Sequence, residues 1–170
     1  MRLNTIFFVL FCSVLISTVQ AQTGEELFEM GNLEFDGGNF TQAIQYWEKA
    51  READPSLAAN SWYNTGLAYA GMEMYEEAIK AWDRTIELAP ESPIAYDNRG
   101  TALAILGRNE EAIESYNKAI LLDPEESKYK ADRDMLINSM KNTQSPLSPL
   151  TALVALLVAL GCVLGIRRRF

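Results

Sequence analysis

The sequence predicts an all-α fold in which three helical hairpins of one repeated motif stack side by side. Three residue types recur at intervals of 35 and then 34 residues: Gly31, Gly66 and Gly100; Ala43, Ala78 and Ala112; Pro55, Pro90 and Pro124. Each of these alanines is followed four residues later by an aromatic residue: Trp47, Trp82 and Tyr116. Small residues let paired helices approach closely, the aromatic side chain fills the remaining space, and proline ends the second helix. One such hairpin cannot bury its apolar face alone, so we expect a continuous stack.

Residues 1–21 precede the first copy and have the pattern of a secretory signal peptide. Arg2 is followed by an apolar run from Ile6 to Val19, and small residues, Val19 and Ala21, stand before Gln22. We predict cleavage after Ala21. The alternative, an uncleaved membrane anchor, is disfavoured because the apolar run is shorter than the ~20 residues that a helix needs to cross a bilayer.

The three copies resemble the tetratricopeptide repeat, whose pattern places Trp, Leu, Gly and Tyr on the first helix and Ala, an aromatic residue and Pro on the second. The second copy carries Trp62, Gly66, Tyr69, Ala78, Trp82 and Pro90, and the third carries Tyr96, Gly100, Ala112, Tyr116 and Pro124. The first copy is looser, with Glu34 where an aromatic residue is usual. The resemblance implies a right-handed superhelix with repeats at about 24–57, 59–92 and 93–126, within a domain spanning 22–142.

The turns and the end of this stack are also predicted. Gly38 and Gly107 supply the tight turn inside two hairpins, and Glu73 holds the same place in the middle copy. Asn39 should cap the second helix of the first hairpin, although Asn39-Phe40-Thr41 is also a glycosylation sequon. Residues 126–141 form an amphipathic helix that should cap the open end of the stack.

The C-terminal segments predict a membrane anchor. A Pro/Ser-rich stalk over 143–149 leads to an apolar run over 150–166, which is long enough for a short transmembrane helix. The basic tail over 167–170 should stay in the cytoplasm, which leaves the repeats outside it. A spacer, an apolar helix and terminal arginines also resemble the sorting tails of prokaryotic surface proteins, which sortase-like enzymes process. No LPxTG, PEP or PGF motif is present, so a permanent single-pass anchor is the default prediction.

Composition excludes several classes of function. The chain has 15 Lys and Arg against 23 Asp and Glu, a net charge of −8. Four of the basic residues, Arg2 and Arg167–Arg169, lie in the terminal segments, so 11 basic and 23 acidic residues leave the exported part at −12. This charge disfavours nucleic-acid binding. The chain contains no His, which excludes Ser-His and Cys-His catalysis and His-ligated metals. We therefore expect no enzyme activity, no cofactor and no metal site.

The resemblance implies that a ligand binds in the concave groove lined by the first helices of the hairpins. The predicted groove residues are Asn32, Phe35, Asn60, Tyr63, Asn64, Asp97, Asn98 and Thr101. The family's carboxylate-clamp subset needs Lys and Arg at groove places that here hold Phe28, Tyr63 and Asp97, so acidic chaperone C-termini are disfavoured. The predicted function is a membrane-anchored scaffold that binds a neutral or basic protein or peptide outside the cytoplasm. The alternative is an assembly subunit of a surface complex, with self-association through the repeats.

Overall fold

The computed structural model describes residues 22–143, which form an all-α stack of seven helices with no strand. The helices are α1 Gly24–Asp36, α2 Phe40–Ala53, α3 Ala58–Gly71, α4 Tyr75–Leu88, α5 Pro93–Ile105, α6 Asn109–Leu122 and α7 Ser127–Thr143, with a 3-10 turn at Pro55–Leu57. The predicted signal peptide, the stalk beyond Thr143, the transmembrane helix and the basic tail lie outside the described residues. Within 22–143, no helix has the length and apolarity required to cross a membrane.

The helices pair as the repeat predicts. α1 packs on α2, α3 on α4 and α5 on α6, and the second helix of each hairpin packs on the first helix of the next. α7 packs mainly on α6 and also touches α5. The predicted hairpin stack is therefore confirmed, and α7 takes the place that the first helix of a fourth repeat would occupy.

Close approach within each hairpin depends on the repeat glycine and its aromatic partner. A Cβ atom built on Gly31 would lie 2.5 Å from the Trp47 ring, and one built on Gly100 would lie 2.9 Å from the Tyr116 ring. Ala43, Ala78 and Ala112 are all completely buried beside these aromatic residues. The glycines are thus required because any side chain would push the aromatic ring out of the hairpin.

The turns inside the hairpins use a left-handed backbone at one residue each. Gly38 has φ 77° and Gly107 has φ 74°, while Glu73 has φ 61° at the same place in the middle hairpin. The predicted turn role of all three residues is confirmed. Glu73 is strained there, because an L side chain disfavours positive φ.

The start of α1 has a side-chain cap, but the predicted side-chain cap at the start of α2 is not formed. The Thr23 side chain accepts from the Glu26 N–H at 3.2 Å, and the Glu26 carboxylate accepts from the Thr23 N–H at 3.0 Å, which forms a capping box. Asn39 occupies the N-cap position of α2, yet its side chain makes no capping bond. Its Nδ2 instead donates to Glu34 Oε2 at 2.8 Å. Glu34, which replaces the usual aromatic residue, holds this amide away from the helix end.

Candidate peptide-binding groove

The predicted groove residues come from the three first helices, α1, α3 and α5. Asn32 and Phe35 lie on α1, Asn60, Tyr63 and Asn64 on α3, and Asp97, Asn98 and Thr101 on α5. Side-chain hydrogen bonds cross from α1 to α3 and from α3 to α5, so these residues share one face of the stack. We call this face the groove.

The N-terminal half of the groove is organised by Asn32. Its Oδ1 accepts from Trp47 Nε1 at 3.1 Å and from Asn64 Nδ2 at 3.1 Å. These bonds fix both amides and leave Asn32 Nδ2 and Asn64 Oδ1 as a donor and an acceptor for a ligand. A cleft of about 190 Å³ lies here, and it is lined by Asn32, Phe35, Asp36, Trp47, Asn64 and Leu67.

Two other predicted residues in this half make different contributions. Phe35 is half-buried and packs on Phe40 and Trp47, with ring centroids 5.4 Å and 5.7 Å apart, so it both supports the first hairpin and lines the cleft. Asn60 is exposed near the start of α3, and its side chain makes no hydrogen bond to another residue of the described part of the chain. The structure therefore places Asn60 beside the groove without fixing its amide.

The middle of the groove is bridged by Tyr63 and Asn98. Asn98 Nδ2 donates to the Tyr63 hydroxyl oxygen at 3.1 Å. Burial raises the pKa of Tyr63 and outweighs the opposing effect of this hydrogen bond. Tyr63 therefore stays a neutral phenol, and its own O–H remains available to donate to a ligand.

Asp97 was predicted at the groove surface, but it is buried, with only 1% of the residue exposed. One carboxylate oxygen forms an ion pair with Lys128 of α7, while the other, Oδ1, has no hydrogen-bond partner among the described residues. Lys128 also contacts Asp132 at 2.7 Å. α7 covers Asp97 because it packs on α5 at this point, so Asp97 serves helix docking rather than ligand contact.

The charges of this cluster are set by burial and by its three members. Burial raises the pKa of Asp97, against the lowering effect of Lys128. Burial lowers the pKa of Lys128, but its bonds to Asp132 and Asp97 outweigh this effect and raise the pKa overall. Lys128 thus remains charged at any physiological pH, and its charge is shared between two carboxylates.

The C-terminal end of the groove is closed by Thr101 and Tyr116. Thr101 Oγ1 donates to the Asp97 carbonyl oxygen at 3.1 Å and lies 3.2 Å from the Tyr116 hydroxyl. An open, largely apolar cleft of about 350 Å³ follows between α5, α6 and α7. Its lining includes Thr101, Ala104, Tyr116, Lys128, Met135 and Leu136.

Sequence reasoning missed the residues that α7 contributes to the groove. Lys128 and Asp132 sit 34 residues after Ile94 and Asn98, and Met135 sits 34 residues after Thr101. These positions continue the groove register of the repeat, and Lys128, Asp132 and Met135 all line the C-terminal cleft. The repeat spacing was the signal that could have found them, although α7 lacks the repeat glycine and aromatic residues.

Comparison with known proteins places this architecture in a family. The tetratricopeptide repeat family matches residues 28–73 and 66–127, which together cover more than half of the chain. The chain belongs to the tetratricopeptide repeat family. None of the curated proteins is similar enough to match it.

Solved tetratricopeptide repeat structures show the same fold. The first such domain of Spaghetti (RPAP3), bound to the HSP90 peptide SRMEEVD, is 25% identical, with a TM-score of 0.65 over 74% of this chain and 98% of that one. The second domain of human RPAP3, in complex with the HSP70 peptide SGPTIEEVD, is 29% identical, with a TM-score of 0.59 over 64% of this chain and 89% of that one. A double mutant of MamA from RS-1 is 27% identical, with a TM-score of 0.62 over 69% of this chain and 65% of that one.

These comparisons bear on what tetratricopeptide repeats do. Such domains bind peptides, as the two RPAP3 structures show, and the fold typically serves as a non-catalytic scaffold for protein interaction. At the positions where carboxylate-clamp domains carry Lys and Arg, this chain has Phe28, Tyr63 and Asp97, none of which is cationic. Phe28 packs against the core cluster around Trp47, Tyr63 bonds to Asn98, and Asp97 is buried.

Proposed function

We propose that this protein is a membrane-anchored scaffold that binds an extended protein or peptide segment in its groove, outside the cytoplasm. The observation that carries the proposal is the row of Asn32, Asn64 and Asn98, whose amides are held by cross-helix hydrogen bonds. An amide held in this way can both donate to and accept from a peptide backbone without first losing side-chain freedom. The export signal and the C-terminal anchor predicted from the sequence support the location.

The charge of the groove favours a neutral or basic partner. Glu29 and Asp36 are exposed on α1 and form no ion pair with any residue of 22–143. Lys128 of α7, which lies beside the groove, is already shared by Asp97 and Asp132. A basic side chain of a partner would gain from these carboxylates, while an acidic C-terminus would meet them unfavourably. The net charge of −12 on the exported part acts in the same direction at longer range.

The test is a binding titration of the full chain, purified in detergent, against peptides of opposite charge. We expect the acidic peptide SRMEEVD to show no saturable binding, and a library of basic and neutral extended peptides to yield ligands. Asn64→Ala and Asn98→Ala should each weaken a selected ligand by about tenfold, the value of roughly one hydrogen bond lost in a partly buried site. Asn142→Ala, exposed on the last turn of α7, is the matched control and should change nothing.

Two results would refute the proposal. Micromolar binding of SRMEEVD would show that the groove accepts an acidic C-terminus despite its residues. Equal affinity of the wild type, Asn64→Ala and Asn98→Ala for every selected peptide would show that the ligands bind elsewhere.

A further inference from the structure

The N-terminal end of the stack leaves open a helix face that the other first helices bury. Ala68 of α3 and Ala102 of α5 occupy the same repeat position and are 0% and 2% exposed, because each packs against the preceding hairpin. The equivalent residue of α1 is Leu33, which is 73% exposed because no hairpin precedes it in the described residues. A large apolar side chain therefore stands where the fold elsewhere places a buried alanine.

This open face of α1 combines apolar and acidic residues. Glu26, Met30 and Leu33 lie along it at helical spacing, with Glu29 and Asp36 at its edge, and we call these five residues the α1 end face. Gln22 Nε2 lies 3.2 Å from Met30 Sδ, beside an open cleft of about 450 Å³. Three of the five residues of the end face are acidic, two are apolar and none is basic, so the face suits an occupant that is apolar and cationic.

The opposite end of the stack, formed by α7, has a charge opposite to that of the α1 end face. Of the seven helices in residues 22–143, α7 is the one with a net positive charge, with four basic and two acidic residues. α7 packs on the stack through Tyr129 and Leu136, while Arg133 donates to Asn117 of α6. The side of α7 that would receive the second helix of a fourth repeat carries Lys130, Asp134, Ile137 and Lys141, which we call the α7 outer face. Lys130 Nζ donates to the uncharged Pro124 carbonyl oxygen at 2.6 Å, and Asp134 is paired with Arg133 at 2.9 Å.

We propose that the occupant of the α1 end face is a second copy of this chain, which docks through its α7 outer face. Leu33 and Met30 would cover Ile137, and the carboxylates of α1 would lie near Lys130 and Lys141. Two α1 end faces would repel each other through their carboxylates, so the contact joins unlike ends and can repeat into an open chain. This proposal rests on Met30, Leu33 and the α7 outer face, none of which is a predicted groove residue, although Glu29 and Asp36 at the edge of the α1 end face also contribute to the charge of the groove. It supports the assembly alternative derived from the sequence.

The experiment is sedimentation of the full chain in detergent with variants that block one end at a time. Leu33→Glu blocks the α1 end face and Lys130→Glu blocks the α7 outer face. Leu121→Glu alters a residue that is 75% exposed on α6, a helix that contributes no residue to either face. We expect wild type and Leu121→Glu to form a concentration-dependent series of oligomers. Each blocking variant should weaken association by about tenfold or more. Leu33→Glu would set a charged side chain against Ile137 in place of an apolar contact, and Lys130→Glu would set a carboxylate against the carboxylates of α1. Circular dichroism checks that all four proteins are equally helical.

Mixing the two blocked variants provides the sharper test. Leu33→Glu retains an intact α7 outer face and Lys130→Glu retains an intact α1 end face, so an equimolar mixture should form dimers that neither variant forms alone. Higher salt should weaken wild-type association, because it screens the charges at the contact. The proposal is wrong if the wild type stays monomeric, if both blocking variants associate like Leu121→Glu, or if mixing restores nothing.

Discussion

At the scale of single residues, the three copies differ in whether the aromatic residue of the second helix, Trp47, Trp82 or Tyr116, finds a hydrogen-bond partner for its ring N–H or hydroxyl group. Trp47 Nε1 donates to Asn32, and the Tyr116 hydroxyl lies within hydrogen-bond distance of Thr101. Trp82 Nε1 is buried without a hydrogen-bond partner in residues 22–143, because the position equivalent to Asn32 and Thr101 holds Leu67. This repeat position, occupied by Asn32, Leu67 and Thr101, also lies in the groove. In the first and third copies, one polar residue therefore both hydrogen-bonds to the aromatic residue of its hairpin and lines the groove.

Glu73 provides a prediction at this scale. Its φ of 61° costs about 1–2 kcal/mol for a residue with a side chain. Glycine removes that strain but loses more conformational freedom on folding, about 0.5–1 kcal/mol. We therefore expect Glu73→Gly to raise the free energy of unfolding by about 0.5–1 kcal/mol, measured by chemical denaturation.

The matched control is Met74→Gly, at the next residue, where φ is −89° and no strain is present to relieve. That variant should lower the free energy of unfolding, since glycine there brings its entropy cost and removes the contacts of a methionine that is only 39% exposed. If both glycine variants lower it equally, the turn at Glu73 is not strained.

The sequence predicted the turns but not the polar network, and particular residues show why. Glu73 could be placed in a left-handed turn because Gly38 and Gly107 occupy the same repeat position, and such local chemistry is readable from spacing. The burial of Asp97 could not be predicted in this way, because it depends on Lys128, 31 residues away on a helix that lacks the repeat signature. Asn39 failed as a side-chain cap for a similar reason, since Glu34 competes for its amide.

At the scale of helices, α7 is attached to the third hairpin by apolar and ionic contacts together. Tyr129 is 7% exposed, and Leu136 packs against the larger core cluster. Asp97 contributes the ionic part, although half of its carboxylate is left without a partner. Removing Lys128 would leave that buried charge without any cation.

We predict that Lys128→Met destabilises the protein and that the size of the loss depends on pH. Removal of one member of a buried pair costs about 3–5 kcal/mol, but Lys128 is half exposed, so solvent screening reduces the expected loss to about 1–2 kcal/mol at pH 7. Asp97 has a pKa above its ordinary value in the folded protein, so folding takes up protons at this carboxyl. Its contribution to stability is therefore present at low pH and falls as the pH rises through the folded pKa.

Loss of Lys128 removes the group that holds the Asp97 pKa down, so the difference between variant and wild type should shrink as the pH is lowered. Urea unfolding at several pH values measures this difference. Lys118→Met, which removes an exposed lysine of α6 with no ion pair, should show no such trend. A loss in Lys128→Met that stays constant with pH would show that Asp97 does not sense Lys128.

At the scale of the whole molecule, the core is divided unequally along the stack. The larger cluster of buried residues joins the second and third hairpins and includes Trp82, Leu103 and Tyr116. The smaller cluster joins Ala43 and Trp47 of the first hairpin to Ala68 of the second. Since each repeat contacts only its neighbours, we infer that the first hairpin is the least stable of the three hairpins.

Arg51 couples this weaker hairpin to the rest. Its guanidinium lies 4.0 Å from the ring centroid of Trp62 on α3, and its Nη1 is buried with no hydrogen-bond partner within the described part of the chain. Burial lowers the pKa of Arg51, against the raising effect of Glu48 and Glu52. The cation–π contact is therefore the main specific interaction of this side chain across the boundary between the first two hairpins.

Native-state hydrogen exchange would test both the unequal core and the coupling. In the wild type we expect the amides of α1 and α2 to exchange faster than those of α4 to α6, because fewer buried residues must separate to open the first hairpin. Arg51→Met should speed exchange in α1 and α2 by roughly three- to tenfold, the equivalent of a partly buried cation–π contact. Exchange in α5 and α6 should stay unchanged, because these helices do not contact Arg51. If Arg51→Met accelerates every helix equally, residues 22–143 open as one cooperative unit and the division of the core has no energetic consequence.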